Sequence, residues 1–304
     1  MATNKTLVSL AFMGTVVCIW SASFIFIKLA LMEISPVTLA FARFAIASPI
    51  LIGVVSCTRR LREEMKRALT KEFWVFAFLG LSGVTLLYVF QFYSLRFISA
   101  TEGAIIINFH AIFAMFLSAA FLNESLTSRK LFGVLVAFSG LIVITLRDAA
   151  IMSLNSTGTI GVLLMVAAAL CWATYSVVGK KVLHRHSNQV TTSCVFLLGT
   201  LFLFPFAMSE GGLRALVGSS WVAWISVVFL AIPCSVIVYV IWNWLIRVID
   251  VTKVLVSLYV IPIPTAVLSY VVLGERITYP LVIGAALVII GVYLTGSSGT
   301  SRAG

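Results

Sequence analysis

Trp20-Ser-Ala-Ser-Phe-Ile-Phe-Ile-Lys28 returns 152 residues later as Trp172-Ala-Thr-Tyr-Ser-Val-Val-Gly-Lys180. In both copies a tryptophan opens an apolar stretch that closes on a lysine. Further pairs follow in the same order at a shift of 151: Tyr88 with Tyr239, Arg96 with Arg247, Glu124 with Glu275, Thr127 with Thr278, Gly133 with Gly284 and Gly140 with Gly291. Chance supplies one such pair. A colinear series at a near-constant shift marks a duplicated unit.

The rest of the chain says what is duplicated. Of 304 residues, 61% are apolar and 10% charged, and the mean hydropathy is +1.13. Soluble domains are about 45–50% apolar and about 25% charged. A soluble enzyme, a disordered tail and a disulfide scaffold are all excluded. A membrane-crossing helix needs roughly 20 mostly apolar residues, and the apolar runs here are long and unbroken. Barrel strands would alternate over segments of about ten residues. The expected fold is an all-α integral membrane protein with spans at 7–28, 36–56, 73–95, 103–122, 130–146, 160–180, 190–208, 221–245, 252–272 and 280–295. These divide into two five-helix repeats, 7–146 and 160–295. Five is odd, so the second copy enters from the opposite side, an inverted-topology repeat of the kind many secondary transporters use. The first span resembles a signal-peptide core ending at Ser21-Ala22-Ser23, but the repeat places those residues inside the mature fold.

Charge sets the orientation. With both termini in the cytoplasm, fifteen of the 21 Lys and Arg residues fall on the cytoplasmic side, five fall outside, and only Arg43 lies within a span. That is a positive-inside bias. Together with the lack of a cleaved signal it predicts a multi-pass protein of a prokaryotic cytoplasmic membrane. The run from Arg59 to Lys71 reads as an orientation signal on a solvated surface. The net charge of +11 would suggest nucleic acid in a soluble protein; here it does not. Cys18, Cys57, Cys171, Cys194 and Cys234 show no C-x-x-C spacing and read as small apolar residues.

On several motifs the chain resembles the drug/metabolite transporter superfamily, specifically the EamA-type ten-helix exporters. They are Trp20 and Lys28, Ser35-Pro36 followed by Ala42-Arg43-Phe44, and the glycine-rich fifth span after Glu124. The second copy carries Trp172, Lys180, Glu275, Gly284 and Gly291. The resemblance covers about residues 7–295. It implies ten helices around a central cavity and export of amino acids, related metabolites or drugs. Val195 stands near where Arg43 would repeat, so any role of Arg43 is not duplicated.

All ten acidic residues lie in loops or near span ends. A midplane carboxylate relay and a site for a dication are therefore disfavoured. His110, mid-span, suits a proton relay or a neutral histidine bonded to another helix; its repeat counterpart is Ile261. Arg43 reads as an anchor for a substrate carboxylate, or as an arginine bonded to helix-end carbonyls or snorkelling outward. Gln91, Asn108 and Asn243 face a wet cavity or bridge helices. Trp20, Tyr88, Trp172, Tyr175, Tyr239 and Tyr259 carry polar tips that need partners. A cavity walled by such rings suits amphipathic or aromatic solutes and organic cations. Pro262 and Pro264 in the ninth span each deprive the carbonyl four residues back (Leu258, Val260) of its donor, and Pro233 does the same in the eighth. They are hinges or static kinks. The stripe of Gly133, Ala137 and Gly140, echoed by Gly284 and Gly291, signals close helix packing or dimerisation. Glu124 and Glu275 read as caps or loop anchors before the next helix.

The function these residues suit best is an alternating-access exporter of small amphipathic metabolites, with amino acids the leading class and proton coupling open. It would have no cofactor, and it would work as a monomer or homodimer. A passive facilitator or channel and a multidrug exporter are alternatives on the same fold. An intramembrane enzyme would need a nucleophile with its base or clustered metal ligands, and the sequence offers no such motif.

Overall fold

In the computed structural model every regular element among the described residues is helical. The described residues are 2–122, 127–145, 157–183, 185–248 and 258–296. The helices in chain order are α1 (Ala2–Ala30), α2 (Pro36–Ser56), α3 (Arg59–Lys71), α4 (Phe73–Ser94), α5 (Ala100–Phe121), α6 (Ser128–Thr145), α7 (Thr157–Leu183), α8 (Asn188–Ser209), the short α9 (Gly212–Val217), α10 (221–248), α11 (Pro262–Leu273) and α12 (Tyr279–Gly296). Seven are long and apolar enough to cross a membrane: α1, α2, α4, α5, α7, α8 and α10. The other three expected spans correspond to the 18-residue α6, α11 and α12.

Local chemistry sets the helix starts. Pro36 opens α2, where its missing N–H removes no helical bond. α5 begins at Ala100, three residues before the expected start. Ser99 and Glu102 form a capping box there: the Ser99 hydroxyl accepts from the Glu102 amide at 3.1 Å, and the Glu102 carboxylate accepts from the Ser99 amide at 2.7 Å. The S-x-x-E signature was present in the sequence. The basic run is itself a helix, α3, with Leu61, Met65 and Leu69 packed on the core and its Arg and Lys side chains exposed.

The two halves interleave. α2 packs on its repeat mate α8, and α6 packs along α12. α1 lies against α10, and reciprocally α7 lies against α4 and α5. Small residues permit the closest approaches. A Cβ on Gly80 (α4) would stand 2.9 Å from the Gly199 amide nitrogen (α8). On Gly291 it would stand 2.4 Å from the Ala137 nitrogen, and on Gly140 2.7 Å from the Gly284 carbonyl oxygen. The glycine stripe is thus spent inside one chain, at the α6–α12 contact, and the dimerisation reading loses its support.

Two helices change pitch at matching places. α4 is π-helical over Leu81–Leu86 and α10 over Ile232–Ile237, again 151 residues apart. Pro233 occupies the first turn of the second. α11 is not a kinked continuous helix at its prolines, because a tight turn precedes Pro262, its first residue. The expectation of stripped carbonyls fails there. Leu258 O accepts from the Ile261 amide at 3.1 Å, and Val260 O from the Ile263 amide at 3.0 Å.

Side chains tie the halves together at two faces. On the face bearing α3, Glu64 accepts from the amide of Ser187, the residue before α8. On the opposite face, Glu210 accepts from Ser35, the residue before α2, and from the Tyr93 hydroxyl at 3.1 Å. Ser35 and Ser187 are repeat mates, 152 apart. Glu33 accepts from the amide and hydroxyl of Ser220, and these bonds hold its carboxyl below the usual range. Glu275 does not cap the helix that follows it. It accepts from the Ala100 amide at 2.9 Å, takes a bond from Ser269, and pairs with Lys28 at 3.7 Å. Glu124 lies outside the described residues.

Candidate functional site

A cavity opens between the two halves. Its wall is built from α1, α2, α4, α5, α7, α10 and the turn before α11. Nine of the residues singled out in the sequence meet there: Trp20, Arg43, Tyr88, Gln91, Asn108, His110, Trp172, Tyr175 and Tyr239. Tyr259 and the three prolines Pro233, Pro262 and Pro264 do not line it, although Leu258 and Ile261 beside them do. Asn243 lies on α10, and its side chain is outside the described residues.

Arg43 dominates the electrostatics. It is 3% exposed, so the snorkelling reading is excluded. Its Nε donates to the Ser235 hydroxyl at 2.9 Å, and that hydroxyl, in the α10 π-helix, donates to the carbonyl of Leu230 just before it at 2.9 Å. The guanidinium lies over the Tyr88 ring, 4.5 Å from its centroid, and 5.2 Å from that of Phe44. Among the described residues no carboxylate pairs with it. A buried guanidinium is normally paired; here ring faces and one hydroxyl stand in.

The rest of the wall is aromatic with a few neutral polar groups. The His110 ring stacks on Trp172 at 4.2 Å and 17°, and its Nδ1 lies 3.1 Å from the Ile107 carbonyl oxygen. Trp20 donates to the Cys234 carbonyl at 3.4 Å and contacts Trp242 at 5.6 Å. Among the described residues Asn108 makes no bond to another helix. It donates to the Ala104 carbonyl of its own helix at 2.9 Å and lines the cavity. Tyr239 meets Phe196, and Phe196 meets Phe44, edge to face. Gly83 admits Tyr175, since a Cβ there would fall 2.4 Å from that ring.

The sequence reading missed Ser23, Phe24, Ile27, Gly83, Leu87, Ala104, Ile107, Leu258 and Ile261 in the lining. Helical spacing carried a signal for most. Ser23, Phe24 and Ile27 stand three, four and seven residues after Trp20, and Gly83 and Leu87 stand eight and four before Gln91. Ser235 gave no such signal, because the π-helix that aims it at Arg43 is not readable from composition.

The EamA-like transporter family matches residues 7–146 and 159–297. The chain belongs to that family. It is a multi-pass membrane protein of the drug/metabolite transporter type. An uncharacterized transporter of Archaeoglobus fulgidus is 37% identical, over 91% of this chain and 93% of its own length. A probable amino-acid metabolite efflux pump of Escherichia coli is 26% identical, over 92% and 91%. A probable terminal-alkyne amino-acid exporter of Streptantibioticus cattleyicolor is 27% identical, over 90% and 89%. A solved crystal structure superposes with a TM-score of 0.64 at 20% identity, covering 94% of this chain and 95% of that one; it speaks for the fold alone.

Proposed function

We propose that this protein exports amino acids and related small carboxylates across the cytoplasmic membrane by alternating access, with both termini in the cytoplasm. Ten membrane-crossing helices, arranged as two inverted five-helix repeats, would rock about the central cavity. The reciprocal packing of α1 on α10 and α7 on α4 supports that arrangement, as do the matched π-helices. π-helical turns cluster at functional sites, and these two flank the cavity.

One observation carries the substrate class: a buried Arg43 on the cavity wall that pairs with no carboxylate among the described residues. A guanidinium so placed is completed by a ligand carboxylate, ideally through two parallel N–H···O bonds. With Nε held by Ser235, the two terminal nitrogens remain for that pair. The stacked His110–Trp172 rings and Trp20 then face the apolar part of the solute. The names of the efflux pump of Escherichia coli and the exporter of Streptantibioticus cattleyicolor agree with the class.

The test is counterflow of a radiolabelled amino-acid panel in proteoliposomes, with and without a pH gradient. Wild type should show saturable counterflow that the matching amino-acid amides fail to inhibit. Arg43→Gln should lose it by ten-fold or more while still purifying as a folded, monodisperse protein. If no amino acid exchanges, or if amides compete as well as acids, the class is wrong.

A further inference from the structure

We propose that His186, Glu64 and Glu72 form a proton-binding latch that closes the α3 face of the molecule. His186 precedes α8 in the second half. Glu64 lies on α3, and Glu72 lies between α3 and α4, both in the first half. The imidazole side chain is 9% exposed. Its Nε2 is 3.1 Å from Glu72 Oε1, while its Nδ1 is 3.7 Å from Glu64 Oε1 and has no hydrogen-bond partner. Phe76 covers the ring edge to face, with centroids 5.5 Å apart.

The geometry is asymmetric when the ring is neutral. A neutral imidazole has one N–H. Given to Glu72, it leaves a bare Nδ1 lone pair turned toward the Glu64 carboxylate, buried away from water. A proton on Nδ1 supplies the missing donor, and the charged ring then pairs with both carboxylates at once. Imidazole is the side chain whose charge changes between pH 5 and 8. The other charged or titratable groups at this cluster are Arg185, which reaches Glu72 at 4.0 Å, and the Cys194 thiol of α8, which faces Glu64. Arg185 lies on the solvent side and is 72% exposed along its side chain, so it screens Glu72 weakly and leaves Glu64 to the histidine.

The consequence lies in where the bonds run. Glu64 also accepts from the Ser187 amide at the start of α8. A protonated His186 therefore joins α3 and the start of α4 to the α7–α8 connection, across the two halves. Any motion that opens this face must break those bonds. Acid on this side should hold it shut, and neutral pH should release it. The latch is separate from Arg43 and from the substrate proposed above.

Two measurements decide the matter. The first needs no substrate. In protein with ¹³C-labelled histidine rings, assigned by the signal missing from His186→Gln, the His186 resonance should titrate. In Glu64→Gln with Glu72→Gln its midpoint should fall, because each substitution takes a negative charge from beside the ring. A midpoint indifferent to the two carboxylates overturns the site. The second is the rate of substrate exchange at equal pH on both sides. Wild type should slow several-fold from pH 7.5 to 5.5, and His186→Gln should be flat. A histidine that titrates as expected while wild type and His186→Gln share one pH profile overturns the latch. If the amino-acid reading fails, the ring titration still stands as a test.

Discussion

Arg43 is the residue on which the chemistry turns, and Ser235 is what aims it. The hydroxyl accepts from Nε and donates to Leu230 O, so its one donor and one of its two lone pairs fix the guanidinium to α10. Ser235→Ala should free Nε and let the fork turn. We expect KM for a carboxylate substrate to rise about ten-fold with kcat little changed. That corresponds to about 1.5 kcal/mol, the size expected for one hydrogen bond to a charged group. Ser235→Thr should recover most of the loss. Saturation curves of counterflow check this, and an unchanged KM in the alanine variant would show that Ser235 does not position Arg43. Arg43, His110 and Asn108 were legible in the sequence because ionisable and amide groups at membrane depth are costly and so stand out. A serine in an apolar run does not stand out, since its hydroxyl is readily satisfied by its own helix.

Among the elements, α6 and α12 show how a sequence specifies a contact through small residues. Gly133, Ala137 and Gly140 on one meet Gly284 and Gly291 on the other, and the backbones nearly touch. The crowding at Gly291 is against backbone atoms, the Ala137 nitrogen and the Gly133 oxygen at 2.4 and 2.5 Å, which cannot swing aside. Gly291→Ala should therefore destabilise the protein by about 1–3 kcal/mol, the usual cost of overpacking. Gly14→Ala is the control, because a Cβ there meets nothing within 4 Å and helix propensity favours alanine. Thermal unfolding in one detergent separates them: the midpoint should drop for Gly291→Ala and hold or rise for Gly14→Ala. Equal midpoints would mean that the two helices separate at no cost. Long unbroken apolar runs made nearly all the long helices legible. The π-helices of α4 and α10 were hidden, because an inserted residue changes pitch without changing composition. The helix break before Pro262 was half legible: the prolines marked the place, but not the tight turn that gives the freed carbonyls new donors.

For the whole molecule, the repeated serines explain how one architecture closes at two faces. Ser187 receives Glu64 on the α3 face, and its mate Ser35 receives Glu210 on the other. In each case the carboxylate follows the second helix of the opposite half, so each half supplies the acceptor for the other's helix start. Carboxylates suit such positions, because the helix N-terminus presents unpaired amides and a partial positive charge. If the faces open in turn, removing one latch should bias the protein toward opening on that side. Glu210→Ala deletes the bonds to Ser35 and Tyr93, and Glu64→Ala deletes the bond from Ser187 and the pairing with His186 Nδ1 on the α3 face. A cysteine at Gln91, on the cavity wall, reports access in a background whose five native cysteines are serine. With a membrane-impermeant maleimide applied from the side opposite α3, Glu210→Ala should label several-fold faster than the parent. Glu64→Ala should label more slowly, because it favours the alternative opening. Changes in the same direction would show that the two latches loosen the fold together, and rocking between two closed ends would have to be abandoned.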